Sequence, residues 1–341
     1  MKKTLLTICL VWMCFSLSAQ KIIDLSGKWS FSIDRQDNGE KEKWFSHTLN
    51  DFINLPGSMP EKLKGDEVTA KTQWTGSLYD SSYYYNPYME KYRKEGNIKF
   101  PFFLTPDKHY VGAAWYQKEV NIPADWKGER ILLFLERPHI ETTVWVNGQK
   151  TGMQNSLCVP HQYDITRYVR PGKCTITIRV DNRIKEINVG PDSHSITDQT
   201  QGNWNGIVGR ICLQTTPKTY FDDIQIYPEP EQKLARVKVV IKGTGTAKVK
   251  LSAESFNTDK KHIVPAIQQE IKLNKGVTET EMVLPMGNDM LLWDEFHPAL
   301  YKLKAEVTNG KKTEIKEIQF GIRRFEIKGK WFYVNGRKTQ L

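Results

Sequence analysis

Cysteine is scarce in this chain: five in 341 residues. Cys9 and Cys14 fall in the first twenty residues, which leaves Cys158, Cys174 and Cys212 for the folded body. An odd number with no short spacing makes neither a disulfide framework nor a zinc site. The three read as buried thiols in strands, with one bridge open in an oxidising compartment. The seven histidines are scattered, without H-E-x-x-H or H-x-H spacing, so no metal site and no cofactor are expected. A G-x-S-x-G elbow is missing. Gly243-Thr244-Gly245 lacks the rest of a dinucleotide fingerprint and reads as a turn between strands. A mean hydropathy of −0.53 argues against a polytopic membrane protein. Helices are wanting too: the one short helix expected is Glu90 to Gly96, inside a loop. No fixed-period repeat is visible.

What is present is aromatic and alternating. The chain holds 10 Trp, 14 Tyr and 14 Phe, a supply that suits β-sheets better than helical bundles. Its length corresponds to about two domains. Hydrophobic residues at 39% and charged residues at 26% exclude a disordered chain. The formal charge is +10, and Gly321 to Leu341 alone holds six Lys/Arg against one Glu. The basicity is therefore partly terminal rather than a face, and no nucleic-acid partner is expected.

The first 19 residues read as a signal peptide. Lys2 and Lys3 form a basic start, Leu5 to Leu17 is apolar but short for a membrane span, and Ser18-Ala19-Gln20 offers cleavage after Ala19. Trp12-Met13 before Cys14 is too bulky for a lipoprotein signal. A secreted or periplasmic product without a membrane span is expected.

From Ile22 onward, runs such as Trp29 to Ile33, Thr142 to Val146 and Thr175 to Val180 alternate apolar and polar residues, the signature of half-buried strands. Asn147-Gly148, Pro171-Gly172, Asn309-Gly310 and Asn335-Gly336 supply turns. Glu40 to Lys43 is a mixed charge run in a solvated loop. A boundary falls near Pro217. Residues 20–217 fit a jelly-roll β-sandwich whose largest insertion, Trp74 to Tyr110, carries Tyr83-Tyr84-Tyr85 and Pro101-Phe102-Phe103. Residues 218–320 hold strands around Ile224–Ile226, Ala235–Ile241, Ala247–Ala253, Glu279–Leu284, Tyr301–Val307 and Glu314–Phe320, the pattern of an immunoglobulin-like sandwich. The fold class is all-β. Trp29, Trp115 and Trp145 sit in alternating strands and read as core, and Pro298 fixes a strand entry, since it has no N–H to give a ladder.

Several local sequences, taken in order, resemble glycoside hydrolase family 2, which includes β-galactosidases, β-glucuronidases and β-mannosidases. Leu25-Ser26-Gly27-Lys28-Trp29-Ser30-Phe31 is similar to the opening strand of that family's sugar-binding domain. Ala114 to Lys118 resembles its W-Y-R/K strand, Val144 to Gly148 its V-x-V/L-N-G hairpin, and Gln201 to Ile207 its G-I loop. Leu292-Trp293 with His297-Pro298-Ala299-Leu300-Tyr301 resembles the L-W…P-x-L-Y pattern of its immunoglobulin-like domain. Phe320 to Ile327, leading to Val334-Asn335-Gly336-Arg337, looks like the entry to its catalytic barrel. The resemblance covers essentially the whole chain after the leader.

The resemblance implies a retaining glycosidase, which needs two carboxyl groups about 5 Å apart. In the family both are Glu on barrel strands, and the acid/base follows an Asn. These 341 residues contain no Asn-Glu dipeptide, and a barrel takes about 250 residues beyond the Gly321 entry. The expectation is the non-catalytic front part of a family 2 exo-β-glycosidase, β-galactosidase-like, with a truncated barrel entry at 321–341, no (β/α)8 barrel, no catalytic residue and no hydrolysis by this chain alone. Family members often hold Mg²⁺ or Na⁺ near the barrel, and no matching ligand set is seen. The first domain of family members contacts the terminal β-linked sugar from the loop before the G-I motif. That implies Asp198 as an acidic sugar contact, with an Asx-turn the alternative. Asn205 and Arg210 would hold that loop, Trp204 would line the pocket or anchor the loop, and Tyr83 to Tyr85 would stack on sugar or on the barrel. A stand-alone carbohydrate-binding module is the alternative reading, and a subunit pairing with a barrel-bearing chain a third. Without a barrel, Trp331-Phe332-Tyr333 would leave an apolar patch exposed.

Overall fold

The computed structural model describes residues 21–340 apart from 77–80, 103 and 186–192. The expected leader at 1–19, with Cys9 and Cys14, and Phe103 of the insertion lie outside the described residues. The described chain is all-β. It divides into two compact units, Lys21–Thr216 and a second that starts at Pro217.

The first unit holds strands β1 (Ile22–Asp24), β2 (Gly27–Asp34), β3 (Asp51–Leu55), β4 (Gly57–Ser58), β5 (Asp66–Glu67), β6 (Lys108–His109), β7 (Ala113–Ile122), β8 (Arg130–Pro138), β9 (Glu141–Val146), β10 (Gln149–Asn155), β11 (His161–Asp164), β12 (Gly172–Asp181) and β13 (Gly206–Thr216). Six of them form one sheet in the order β10-β9-β12-β7-β2-β3, and β1-β13-β8-β11 with β4 form the other. The two sheets close as a sandwich because every second residue is apolar. Trp29, Phe31, Ala114, Tyr116, Val144, Val146, Ile176 and Ile178 meet Leu133, Leu135, Tyr163, Ile211 and Leu213 in one buried cluster. Each Val, Leu, Ile or Phe among them contributes roughly 1.5–3 kcal/mol on burial. Asn147 and Gly148 both take positive φ, 51° and 77°, in the β9–β10 hairpin, where an L residue without an amide side chain would be strained.

Alternation places Trp115 and Trp145 on the opposite face from Trp29, so they are not in the inter-sheet core. They are buried nonetheless, because residues 44–49 fold over that outer face. Trp115 stacks on Trp145 at 5.0 Å, and Phe45 stacks on Trp145 at 5.2 Å. Asp34 pins the cover: its carboxylate accepts from Trp115 Nε1 and the Gly39 amide, both at 2.9 Å. Gly39 is required there, since a Cβ would come within 2.5 Å of Trp115 Nε1. The charge run Glu40 to Lys43 is exposed at the edge of this cover. Cys174 on β12 and Cys212 on β13 are buried free thiols, but Cys158 is exposed in a loop, against the expectation for it. Burial pushes the Cys174 thiol up to about 11.

In the insertion, the helical pieces among the described residues are α1 (Ser82–Tyr85) and a 3-10 turn at Pro87–Tyr92, which overlaps the expected Glu90 to Gly96 only over its first three residues. Tyr83 is 1% exposed and packs on Phe100 at 4.8 Å, whereas Tyr84 and Tyr85 face solvent.

The second unit holds β14 (Tyr220–Glu229), β15 (Leu234–Phe256), β16 (Ile263–Pro285), β17 (Leu300–Asn309) and β18 (Lys312–Phe320) in the order β14-β15-β17-β18, with β16 also on β15. Gly243-Thr244-Gly245 is not a turn. It is a bulge inside the 23-residue β15, where the register to β16 shifts and Gly245 takes φ 83°. The first half of β15 pairs β14 and the second half pairs β17, so one strand serves both sides of a core built from Val237, Val239, Ile241, Val249, Leu251, Leu303 and Val307. β17 begins two residues after Pro298. Beyond it, β19 (Phe325–Lys328), β20 (Trp331–Val334) and β21 (Arg337–Thr339) make a three-stranded sheet. Asn335 Nδ2 donates to Trp293 O at 2.9 Å, tying its turn to the Leu292-Trp293 loop. Phe325, Ile327 and Phe332 of this sheet are exposed at 47%, 67% and 36%. No helix among the described residues is long and apolar enough to cross a membrane.

Candidate functional site

The loop that joins β12 to β13 carries the residues marked by the sequence. Its two ends are fixed by buried amides. Asn182, at the exit of β12, accepts from the Gly112 amide and donates to Tyr110 O, both at 2.8 Å. Asn205, just before β13, is 1% exposed. It accepts from Tyr116 OH at 2.7 Å and donates to Gly112 O at 2.9 Å and Val180 O at 3.0 Å. Its own carbonyl accepts from the Met59 amide at 2.7 Å. An amide with a donor and an acceptor end is the side chain that can take one hydroxyl and bridge two backbone carbonyls in this way. Gly206 follows with φ 145°, and a Cβ there would lie 2.5 Å from Gly57 O, so β4 can pair only because this residue is glycine.

Asp198 is 4% exposed and braces the loop from inside. Its Oδ2 accepts from the Thr75 amide at 2.7 Å, while its own amide donates to Thr75 O at 3.0 Å. Its Oδ1 accepts from the Asn203 amide. Asn203 in turn donates to Thr75 Oγ1 and Asn182 O, both at 3.0 Å. His109 Nε2 lies 3.9 Å from Asp198 Oδ2. Asp198 is thus bound to a segment 123 residues earlier in the chain. A buried carboxylate held by two N–H groups is a strong anchor, since charge-assisted hydrogen bonds are about twice as strong as neutral ones.

Trp204 stands half-buried at the rim, stacked on His139 with ring centroids 4.4 Å apart and 20° between planes. Burial lowers His139 to about 4, opposed by a hydrogen bond with Asn203, so the ring is neutral at pH 7 and presents an uncharged aromatic pair. The loop therefore places an aromatic wall on a rigid polar base. Such a wall suits the C–H face of a sugar ring, and the exposed Gln201 and half-buried Gly202 adjoin it in the chain. Arg210 is not part of this constellation. It lies on β13 within the register shift between Val208 and Ile211, exposed, with its guanidinium 4.7 Å from the Phe134 ring and its backbone amide on Glu136.

Asp181, one residue before Asn182, is the centre of an ionic network. It meets Arg183 at 2.6 Å, Lys185 at 2.8 Å and Arg179 at 3.1 Å. Glu141 and Asp37 close the network from neighbouring loops and strands. Burial pushes the Asp181 carboxyl up, but hydrogen bonds from Arg183 and Lys185 and the Arg179 charge prevail and hold it well below the usual carboxylate range. Among the described residues no group of His, Cys, Asp and Glu could hold a metal ion. Motif reading singled out Asp198, Trp204 and Asn205. It missed Thr75, His109, His139, Asn182 and Asn203. Asn203 lies inside the quoted Gln201 to Ile207 motif and Asn182 at the start of the same loop; Thr75, His109 and His139 come from distant segments with no signal of their own.

The fold and this loop define a class: a β-sandwich whose inter-strand loop is braced to display an aromatic and polar edge, followed by a second, immunoglobulin-like unit. Comparison with known proteins gives the family. The description "Glycosyl hydrolases family 2, sugar binding domain" matches residues 22–217, and "Glycosyl hydrolases family 2" matches 219–323. The chain belongs to glycosyl hydrolase family 2. A β-glucuronidase of Paenibacillus borealis is 24% identical over 339 residues, covering 94% of this chain and 48% of the relative. The β-galactosidase large subunit of Latilactobacillus sakei is 24% identical over 326 residues, covering 93% of this chain and 48% of the relative. The solved β-glucuronidase of Ruminococcus gnavus superposes with a TM-score of 0.62 at 19% identity, covering 95% of this chain and 49% of that structure. The chain thus spans about half the length of the curated relatives it matches.

Proposed function

We propose that these 341 residues are the sugar-recognising, non-catalytic front portion of an exported exo-β-glycosidase, which removes a terminal β-linked sugar by hydrolysis of its O-glycosyl bond. The observation that carries this reading is the ordered match of two family 2 domains over residues 22–217 and 219–323, with the braced Asp198–Asn205 loop inside the first. The paired carboxyl groups of a retaining glycosidase come in this reading from sequence outside the 341 residues, so the chain alone does not turn over glycosides. The sugar is a β-glucuronide or a β-galactoside. The first is supported by the name of the Paenibacillus relative, the second by that of the Latilactobacillus subunit. The Trp204 rim forms one wall for it, and the loop held by Asp198 and Asn205 sets the position of that wall.

The test is a pair of assays on nitrophenyl β-glucuronide and nitrophenyl β-galactoside. Purified chain alone should give no turnover above a mock preparation. Supplied with a family 2 barrel, in trans or fused after Leu341, it should raise turnover of one of the two. Turnover by the chain alone, or none with any barrel, overturns the reading. A stand-alone carbohydrate-binding module is the second reading, and the separate buried core of each unit favours it.

A further inference from the structure

The interior of the first unit carries a polar chain that crosses from one sheet to the other. β11 is a four-residue strand at the end of its sheet, paired with β8. Its alternation turns His161 and Tyr163 inward, 0% and 4% exposed, and leaves Gln162 and Asp164 outside. Facing them is Thr142, buried on β9 of the six-stranded sheet. Thr142 Oγ1 lies 2.6 Å from His161 Nδ1 and 2.6 Å from Tyr163 Oη, and Tyr163 Oη lies 2.9 Å from Thr142 O.

A single order of protons gives each of these three contacts a hydrogen. The Thr142 carbonyl can only accept, so the Tyr163 hydroxyl donates to it. The Thr142 hydroxyl then donates to Tyr163 Oη. Its oxygen is left to accept from His161, so the proton of the neutral ring sits on Nδ1. Nε2 is then a bare lone pair, buried and without a hydrogen-bond partner. The reverse order would set the Tyr163 and Thr142 carbonyl oxygens 2.9 Å apart with no hydrogen between them. It would also leave a buried N–H at Nε2 unpaired, which folded proteins rarely tolerate.

The surroundings decide what a second proton on the ring does. Burial pushes the Tyr163 hydroxyl up to about 12, so it keeps its proton. Asp164, on the outer side of β11, is paired with Arg130 at 2.8 Å. β9 also brings Glu141, whose carboxylate is taken by Lys185 at 2.9 Å and Arg179 at 3.4 Å. β8 sets Leu135 opposite His161. The segment before β11 offers the Ser156 backbone carbonyl, which favours a charged ring, but burial prevails and holds His161 below the usual histidine range. A proton at Nε2 places a charge inside the sandwich, and the ring must reach water to carry it. A short strand at the end of a sheet is a cheap element to open for that purpose.

We propose that His161, Thr142 and Tyr163 are a proton-operated latch. The neutral ring, protonated on Nδ1, ties β11 to the opposite sheet, and a proton taken from solvent at Nε2 releases β11 together with residues 156–160 before it. The latch is independent of any glycosidase activity.

The test is NMR and hydrogen exchange on the ¹⁵N-labelled full chain. At pH 8 the His161 ring should show its proton on Nδ1 and a bare Nε2. In the opened strand the ring titrates near about 6.5, and in the closed strand lower, so closure is fully stabilised above that pH and loses stability below it. Opening constants of the β11 amides, corrected for the intrinsic pH dependence of exchange, should therefore rise at least about threefold from pH 6.5 to 5.5. The β12 amides should not follow. His161→Asn keeps an N–H donor in the place of Nδ1 and cannot titrate, so it should hold the β11 opening constant flat while His139 still titrates. A ring protonated at Nε2, an opening constant that ignores pH, an equal rise at β12, or the same rise in His161→Asn would overturn the proposal. If His161→Asn does not fold, the tautomer and the contrast of β11 with β12 in the unaltered chain still decide it.

Discussion

At the scale of single residues, the first unit depends on polar groups buried in pairs. Asp181 is fully buried and its carboxyl is held low by cationic partners. An unfolded Asp titrates near about 3.9. The stabilisation is therefore complete above that value and is lost as the pH falls below it toward the lower folded value. Asp181→Asn should lower stability by about 1.5–3 kcal/mol at pH 7, since it removes the buried acceptor that Arg179, Arg183 and Lys185 share and leaves them only Asp37 and Glu141, and should flatten the acid limb of a urea-midpoint curve below about pH 4. An unchanged acid limb would remove Asp181 from this role. His139 behaves in the same sense for a different reason: burial disfavours its charged form. Its ring should titrate near 4 by NMR, so stability is full above the unfolded value of about 6.5 and declines as pH falls toward 4. A midpoint near 6.5 would mean that the Trp204–His139 stack is open in solution. The candidate loop was half legible at this scale. Asp198 and Asn205 stood out through their place in a motif, but their partners Thr75, Tyr116 and Gly112 are 89 or more residues away and carry no pattern that names them.

At the scale of elements, alternation told which residues share a face and left open what covers that face. Trp115 and Trp145 illustrate it: period two separates them from Trp29, and only the return of residues 44–49 buries them. The Gly243-Thr244-Gly245 segment shows the other limit. Two glycines in three residues break the apolar pattern whether the chain turns or merely bulges, and pairing with β16 on both sides decides for the bulge. Gly206 is the position where backbone geometry matters most for the loop. Gly206→Ala places a Cβ against Gly57 O at a φ that L residues avoid. It should destabilise the first unit by about 2–3 kcal/mol, detach β4, and leave the unfolding of the second unit unchanged. Differential scanning calorimetry of the full chain measures both at once. A drop in both units, or in neither, would contradict the separation of the two cores.

At the scale of the whole molecule, the chain is two self-contained hydrophobic cores and a terminal three-stranded sheet whose exposed face carries Phe325, Ile327 and Phe332. Apolar side chains grouped in this way drive association when nothing covers them. The isolated chain should self-associate with rising concentration, and Ile327→Lys should restore a monomer in analytical ultracentrifugation without shifting the melting of either core. A wild-type chain that stays monomeric at high concentration would show the face to be harmless. The all-β class and the order of pieces were readable because strands and turns are local. The cleft of about 1050 Å³ between residues 67–71 and the aromatic insertion was not, because it arises from segments about 30 residues apart that meet only after folding. The outer-face aromatic cluster has a practical corollary. Two indoles stacked at 5.0 Å and 30° couple their electronic transitions, so the first unit should carry an exciton couplet in its circular dichroism spectrum. That band is an intrinsic optical reporter of the covered outer face of the first unit, with no label needed.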